Sequence, residues 1–266
     1  MTPGAAATHD PGVVSEELVA LTNSLGRPDR QLVILAEGNT SQRLPDGRLV
    51  VKASGSNLAS CTRDDFVVVD VDELAALLRP DATQADLTAA LDAGEVGGKR
   101  RRGSIEALVH VAVQAVAAQD RRQAAFVGHT HPTAVVGLLA SVVGPTAWDR
   151  HVYSDEAVVI GRPLYVPYAQ PGIDLGRLFH AALRMRVDET GELPSLVLLG
   201  NHGIVAIAPT AQGVDAISDM AVKGALVRTA AYSVGGVAPL SPESVEKFFA
   251  RDDIAERRSN LSKGQF

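Results

Sequence analysis

Ala124-Ala125-Phe126-Val127-Gly128-His129-Thr130-His131-Pro132 is an apolar run that closes on two histidines and a proline. The run from Ala124 to His131 reads as a strand. Pro132 fits the first turn of a helix that continues to about Ser141, because that turn has no use for a proline N–H. Side chains two apart on a strand share a face, so His129 and His131 project together where the strand ends. Strand ends are where layered α/β proteins place their sites, and neutral imidazole is a common ligand of transition metals. Two surface histidines at a strand end fit the same spacing.

The neighbouring segments extend the pattern. Leu196–Gly200 and Ile204–Ala208 read as strands joined by Asn201-His202-Gly203, whose Asn and Gly suit a tight turn. His202 there is a turn residue or a third imidazole ligand. Ser15 caps a helix over 15–25, with Glu16 and Glu17 at its positive end and Gly26 closing it. Residues 32–55 form a hairpin region around the turn Pro45-Asp46-Gly47. Phe66–Asp70 reads as a strand, 72–78 as a helix fragment and 94–103 as a loop. Apolar residues at helical spacing predict a helix with one buried face over 105–118. Val158–Val166 reads as strand, 172–185 as helix and 211–232 as a long helix. The segment beyond Gly235 is polar, with one short helical piece at 245–251. Strands alternate with helices irregularly, which gives a single α/β layered domain on a mixed or largely antiparallel sheet. Residues 1–13 are expected to be a flexible tail, 14–250 the domain and 251–266 a polar C-terminal tail.

The chain has 266 residues, enough for a full core, and its 46% hydrophobic content argues against disorder. A net charge of −6 excludes a broad electrostatic grip on nucleic acid. No apolar run is long enough to span a bilayer, and the first residues lack the pattern of a signal peptide. One cysteine, Cys61, leaves no disulfide framework and no cysteine-rich zinc site. The expected compartment is the cytoplasm. Any transition metal must be held by histidine and carboxylate, and there are seven histidines.

Other residues carry chemistry only in combination. Glu106 is either a glutamate that complements a helix dipole or a carboxylate acting as general acid/base. His110, one turn on, reads as a structural neighbour on the same helix face. Gly38-Asn39-Thr40-Ser41 and Ala53-Ser54-Gly55-Ser56 are short polar, glycine-bearing segments, either plain turns or presenters of N–H and hydroxyl donors to an anion, with Ser104 as a third contact. The basic run Lys99–Arg102 reads as solvated loop.

In chain order, Gly38-Asn39-Thr40-Ser41, Lys52-Ala53-Ser54-Gly55, Gly103-Ser104-Ile105-Glu106, His129-Thr130-His131-Pro132, Tyr168-Ala169-Gln170-Pro171-Gly172 and Asn201-His202-Gly203 resemble the class II aldolase/adducin family from about Val14 to Ser233. The resemblance implies an α/β/α domain around a mainly antiparallel sheet, assembled as a homotetramer. It implies that His129, His131 and His202 bind a divalent metal, most often Zn2+, with Mn2+ or Co2+ possible. It implies Glu106 as the catalytic acid/base, and Asn39, Thr40, Ser54, Gly55 and Ser104 as the holders of a substrate phosphate. Tyr153 matches, by its distance after the histidine pair, a tyrosine that family sites take from a neighbouring subunit. Where the family has Pro-Ser-Ser-Glu this chain has Gly-Ser-Ile-Glu, so Ile105 replaces a hydroxyl that helps hold phosphate.

The implied function is a zinc-dependent aldolase that cleaves or forms a C–C bond in a ketose or ketose phosphate through a metal-stabilised enediolate. An epimerase or decarboxylase of a sugar acid phosphate would use the same site. A non-catalytic adducin-like interaction domain is the third reading, and such members are expected to lose the metal ligands that are all present here.

Overall fold

The structure, a computed structural model, describes residues 7–117 and 124–262. Residues 1–6 of the expected N-terminal tail, Ala118 at the expected end of the 105–118 helix, and residues 263–266 lie outside the described residues. The strands are β1 (Ala7–Thr8), β2 (Asn39–Arg43), β3 (Leu49–Lys52), β4 (Phe66–Val69), β5 (Asp92–Val96), β6 (Lys99–Arg102), β7 (Phe126–Thr130), β8 (Leu164–Val166), β9 (Leu196–Leu199) and β10 (Gly203–Ala208). The helices are α1 (Glu16–Leu25), α2 (Val71–Ala75), α3 (Gln84–Ala90), α4 (Ala107–Val116), α5 (Thr133–Leu139), α6 (Ser154–Ile160), α7 (Ile173–Thr190), α8 (Ala211–Ser233), α9 (Pro242–Phe249) and α10 (Asp252–Ser262).

Eight strands form one sheet in the order β1-β4-β3-β2-β7-β10-β9-β8. Every neighbouring pair is antiparallel except β8 with β9. Both faces are buried, and alternation along the strands shows it. Leu196, Leu198, Ile204 and Ala206 pack with Leu21 and Leu25 of α1, Val135 of α5 and Val214 and Ile217 of α8. Val197, Leu199, Val205 and Ile207 pack on the other side with Val109 and Val113 of α4 and Phe179 and Leu183 of α7. Leu49, Val51, Val67 and Val69 meet α2, α3 and the start of α4. Each of the Val, Leu, Ile and Phe side chains among them contributes roughly 1.5–3 kcal/mol by leaving water. The expected α/β/α sandwich on a mainly antiparallel sheet is the observed one.

Four local readings change. The 94–103 segment is not a loop: β5 and β6 make a separate two-stranded ribbon. Gly97 and Gly98, at φ 59° and 75°, supply the positive φ of a two-residue hairpin turn. Its basic run is partly paired, Arg100 with Asp92 and Arg101 with Asp65 at 3.3 Å. Val158-Val159-Ile160 is the end of α6 rather than strand, because Ala157, Val158 and Ile160 are buried and Glu156 ties the helix to Arg228 of α8. Helix α4 is buried on all sides over 107–114 rather than on one face, since it lies between the sheet and α7 with α2 beside it. Beyond Gly235 there are two helices, α9 and α10, the second held by buried Ile254 and by Arg257, whose guanidinium lies 2.8 Å from Asp155. Among the described residues no helix is long and apolar enough to cross a membrane.

Candidate metal centre

The sheet register brings the two distant histidine motifs together. Strand β7 lies between β2 and β10, with Asn39 and Val205 as the partners of His129. The β9–β10 hairpin then turns over the end of β7. Asn201 holds φ 52°, which a short polar side chain tolerates. A Cβ at position 203 would lie 2.4 Å from the Thr130 carbonyl oxygen and 2.7 Å from the His131 ring, so only glycine lets the hairpin come this close. The result is a triad of imidazoles with ring centroids 4.8–5.0 Å apart.

The three rings turn Nε2 inward. His129 Nε2 and His131 Nε2 are 3.0 Å apart. His202 Nε2 is 2.9 Å from Glu106 Oε1, and His129 Nε2 is 3.2 Å from Glu106 Oε2. One ligand atom from each of Glu106, His129, His131 and His202 falls within 4.8 Å of all the others. The outer nitrogens differ: His129 Nδ1 faces the Ile204 carbonyl at 2.8 Å, His131 Nδ1 faces Glu37, and His202 Nδ1 is buried without a partner. Three convergent neutral-capable nitrogens beside a buried carboxylate are the donor set of a divalent transition-metal site. The residues present therefore fit such an ion.

Glu106 stands at the N-terminal end of α4 and is buried. Burial alone would raise its affinity for a proton. The charge on His129 and the hydrogen bonds from His129 and His202 outweigh it and hold the carboxyl well below the usual range. Burial lowers His129's proton affinity, but Glu106 beside it wins and raises it. His131 goes the other way, down to about 3, through burial and repulsion from the other two rings.

A polar chain holds Glu106 from below. Asn39 Nδ2 donates to Glu106 Oε2 and to Ser104 Oγ, both at 3.1 Å. Asn39 Oδ1 meets His110 Nε2, and His110 Nδ1 meets Ser41 Oγ at 2.7 Å. His110 is thus linked to Glu106 through Asn39.

The other expected site residues divide. Asn39 and Ser104 join the cluster. Ser54 and Gly55 lie in the exposed loop after β3, held beside Ser104 by the Ala53–Gly103 bridge and by the Ser54 N–H to the Arg102 carbonyl at 2.7 Å. Thr40 is not brought into the cluster. It points to the opposite face of β2, where its hydroxyl pairs with Thr22 at 2.6 Å and is fully buried. Tyr153, half-buried, donates to Met220 Sδ at 2.6 Å and does not enter the cluster within its own chain. The sequence marked Ser41 and Lys52 only as members of their motifs and Glu37 not at all; Lys52 is fully buried, and its Nζ donates to the Ser56 carbonyl at 2.5 Å and so pins the 53–56 loop from inside. A cavity of about 780 Å³ lies at the far end of β9 and β10, lined by Ile207, Leu240 and Phe249, and contains none of these residues.

The family model for the class II aldolase and adducin N-terminal domain matches residues 16–220. The chain belongs to the class II aldolase and adducin family. Its similarity to uncharacterized oxidoreductase YuxG of Bacillus subtilis (strain 168) is 27% identity over 209 residues, covering 74% of this chain and 27% of YuxG. The chain thus spans about a quarter of that relative's length. The structure resembles YgbL of Escherichia coli, for which an aldolase, epimerase or decarboxylase activity has been put forward, with TM-score 0.61, 20% identity and coverage of 88% and 96% of the two chains. It also resembles L-fuculose-1-phosphate aldolase of Thermus thermophilus, with TM-score 0.55, 17% identity and coverage of 83% and 98%. At these identities the likeness is one of fold, and it is the fold of class II aldolases.

Proposed function

We propose that this member of the class II aldolase and adducin family is a divalent-metal-dependent aldolase that forms or cleaves a carbon–carbon bond in a ketose or ketose phosphate. The observation that carries the reading is the convergence of three imidazole Nε2 atoms on one buried carboxylate. His129, His131 and His202 would hold the ion, with Zn2+ expected and Mn2+ or Co2+ served by the same donors. A bound divalent cation supplies Lewis acidity toward the substrate oxygens on which charge builds.

The proton work falls to Glu106. Its carboxylate is ionised at neutral pH and desolvated, so it can take a proton from, or return one to, a substrate carbon held in front of it. The buried Asn39 amide donates to Oε2 and fixes it. Asn39, Ser104 and the loop of Ser54 and Gly55 would receive the anionic end of the substrate. Replacing Glu106 with Gln is expected to keep the metal and abolish most retro-aldol turnover. Undiminished turnover would remove Glu106 from this role.

Ile105 and the averted Thr40 withdraw two hydroxyls from a phosphate subsite. This favours testing sugars and sugar acids beside ketose phosphates, and with them the epimerase or decarboxylase reading. Carbon dioxide release marks a decarboxylase; an aldehyde plus a dihydroxyacetone-type fragment marks an aldolase. We further infer a cytoplasmic homotetramer in which Tyr153 serves a neighbouring subunit. Sizing by light scattering, together with Tyr153→Phe kinetics, tests that inference. Protein that takes up no metal would favour an adducin-like interaction role.

A further inference from the structure

The segment between α1 and β2 wraps the histidine pair as a collar. His131 N–H donates to the Leu32 carbonyl at 2.8 Å, and Thr133 N–H to the Gln31 carbonyl at 3.1 Å. Gly38, at φ 70°, fits under β7, where a Cβ would lie 2.7 Å from the His129 carbonyl oxygen. Between these anchors the chain takes an unfavourable path. Gln31 and Leu35 both adopt positive φ, 51° and 53°. Ile34 and Leu35 are 65% and 81% exposed. Apolar side chains in water and left-handed non-glycine residues both cost free energy, so this path is held by the anchors at its two ends.

What the path delivers is Glu37. Its Oε2 accepts from the Ile34 N–H at 3.0 Å, which fixes the carboxylate within the collar. The same oxygen lies 3.6 Å from His131 Nδ1, the nitrogen on the outer side of that ring. Among the three imidazoles, His131 alone has a carboxylate at its outer nitrogen, while His129 has a carbonyl and His202 no partner.

We propose that Glu37 is a positioning residue for the metal centre: its carboxylate, 3.6 Å from His131 Nδ1, draws the ring proton to that nitrogen, fixes the tautomer that leaves Nε2 free to ligate, and strengthens Nε2 as a donor. This rests on the reading of His129, His131 and His202 as metal ligands. A histidine that ligates through one nitrogen is oriented and made more basic by an acceptor at the other, and loss of such an acceptor costs roughly 10- to 100-fold in metal affinity. Glu37 touches neither substrate nor metal, so its effect runs through His131.

The test is zinc and cobalt affinity, measured by competition against a chromophoric chelator, for the unmodified chain, Glu37→Gln and Glu37→Ala. Glu37→Ala is expected to bind roughly 10- to 100-fold more weakly. Glu37→Gln, which keeps a neutral acceptor for both Ile34 N–H and His131 Nδ1–H, is expected to fall between. In metal-loaded protein the proton resonance of His131 Nδ1–H is expected to be slow to exchange in the unmodified chain and lost in Glu37→Ala. If Glu37 only braced the collar, Glu37→Ala would lower the melting temperature of the metal-free protein and leave metal affinity and the resonance unchanged; that result overturns the proposal. An unmodified chain that binds no metal overturns the metal reading and this inference with it.

Discussion

Asn39 Nδ2 lies 3.1 Å from Glu106 Oε2, and this contact decides the proton positions beneath the site. A carboxylate only accepts, so the Asn39 amide must present its nitrogen to Glu106 and its oxygen to His110. His110 therefore carries its proton on Nε2, and its Nδ1 accepts from the Ser41 hydroxyl. Replacing Asn39 with Asp sets two carboxylates against each other and removes the donor. Glu106 should then hold a proton to higher pH. The acid limb of the kcat profile should move up in Asn39→Asp, while the metal content stays the same.

His110 is fully buried, and burial, with the charge on His129 as a lesser cause, pushes it down to about 3. In the unfolded chain it titrates near 6.5. Between those values the unfolded state binds a proton that the folded state refuses. Stability therefore falls as pH falls through that window, by at most about 1.4 kcal/mol per pH unit from this group. Above pH 6.5 the contribution is complete and constant. Denaturant melts between about pH 7 and 5 should show a shallower slope for His110→Gln than for the unmodified chain. That range lies above the 4.5 at which an unfolded Glu106 titrates, so the carboxylate's own loss of stability in acid does not mask the difference.

Thr40 and Ser104 should respond oppositely. Thr40→Val breaks a buried hydroxyl pair with Thr22, costs about 1 kcal/mol of stability and leaves KM alone. Ser104→Ala removes an acceptor of Asn39 Nδ2 in the site and should raise KM for an anionic substrate. Steady-state kinetics and melting curves on the two variants check both statements.

Away from the site, Arg228 and Glu156 form a buried two-point pair at 2.5 and 2.6 Å, with Trp148 stacked on the guanidinium at 4.7 Å. Arg228→Met leaves Glu156 buried with only His151 beside it, and should cost about 3–5 kcal/mol in chemical denaturation. The double variant Arg228→Met, Glu156→Leu should recover a large part of that loss, since no charge is then stranded.

Much of this was legible in the sequence. Short apolar runs marked β7, β9 and β10, Ser15 marked the start of α1, and the resemblance in chain order pointed to the three histidines and Glu106. What placed His202 against His131 is the β7–β10 register, a long-range pairing that no local pattern encodes. Thr40 went astray because Asn39–Arg43 has no apolar alternation to reveal which residues face α4 and which face α1. The Gly97-Gly98 turn of the basic ribbon was a readable signal, hidden by the charge run beside it. Val158–Ile160 reads as strand by propensity, and packing against α8 overrides it. Glu37 had only its place before Gly38-Asn39 to mark it, and its meaning depends on the fold of the collar.

His129, His131 and His202 are held to form one divalent-metal site beside Glu106, and everything proposed for the chemistry depends on it. Metal content by mass spectrometry, after chelation and reloading with zinc, tests this most directly. One ion per chain is expected in the unmodified protein and in Glu106→Gln, with loss of the ion when any one of the three histidines becomes alanine. No stoichiometric ion in the unmodified protein, or an ion retained with all three histidines replaced, would contradict it.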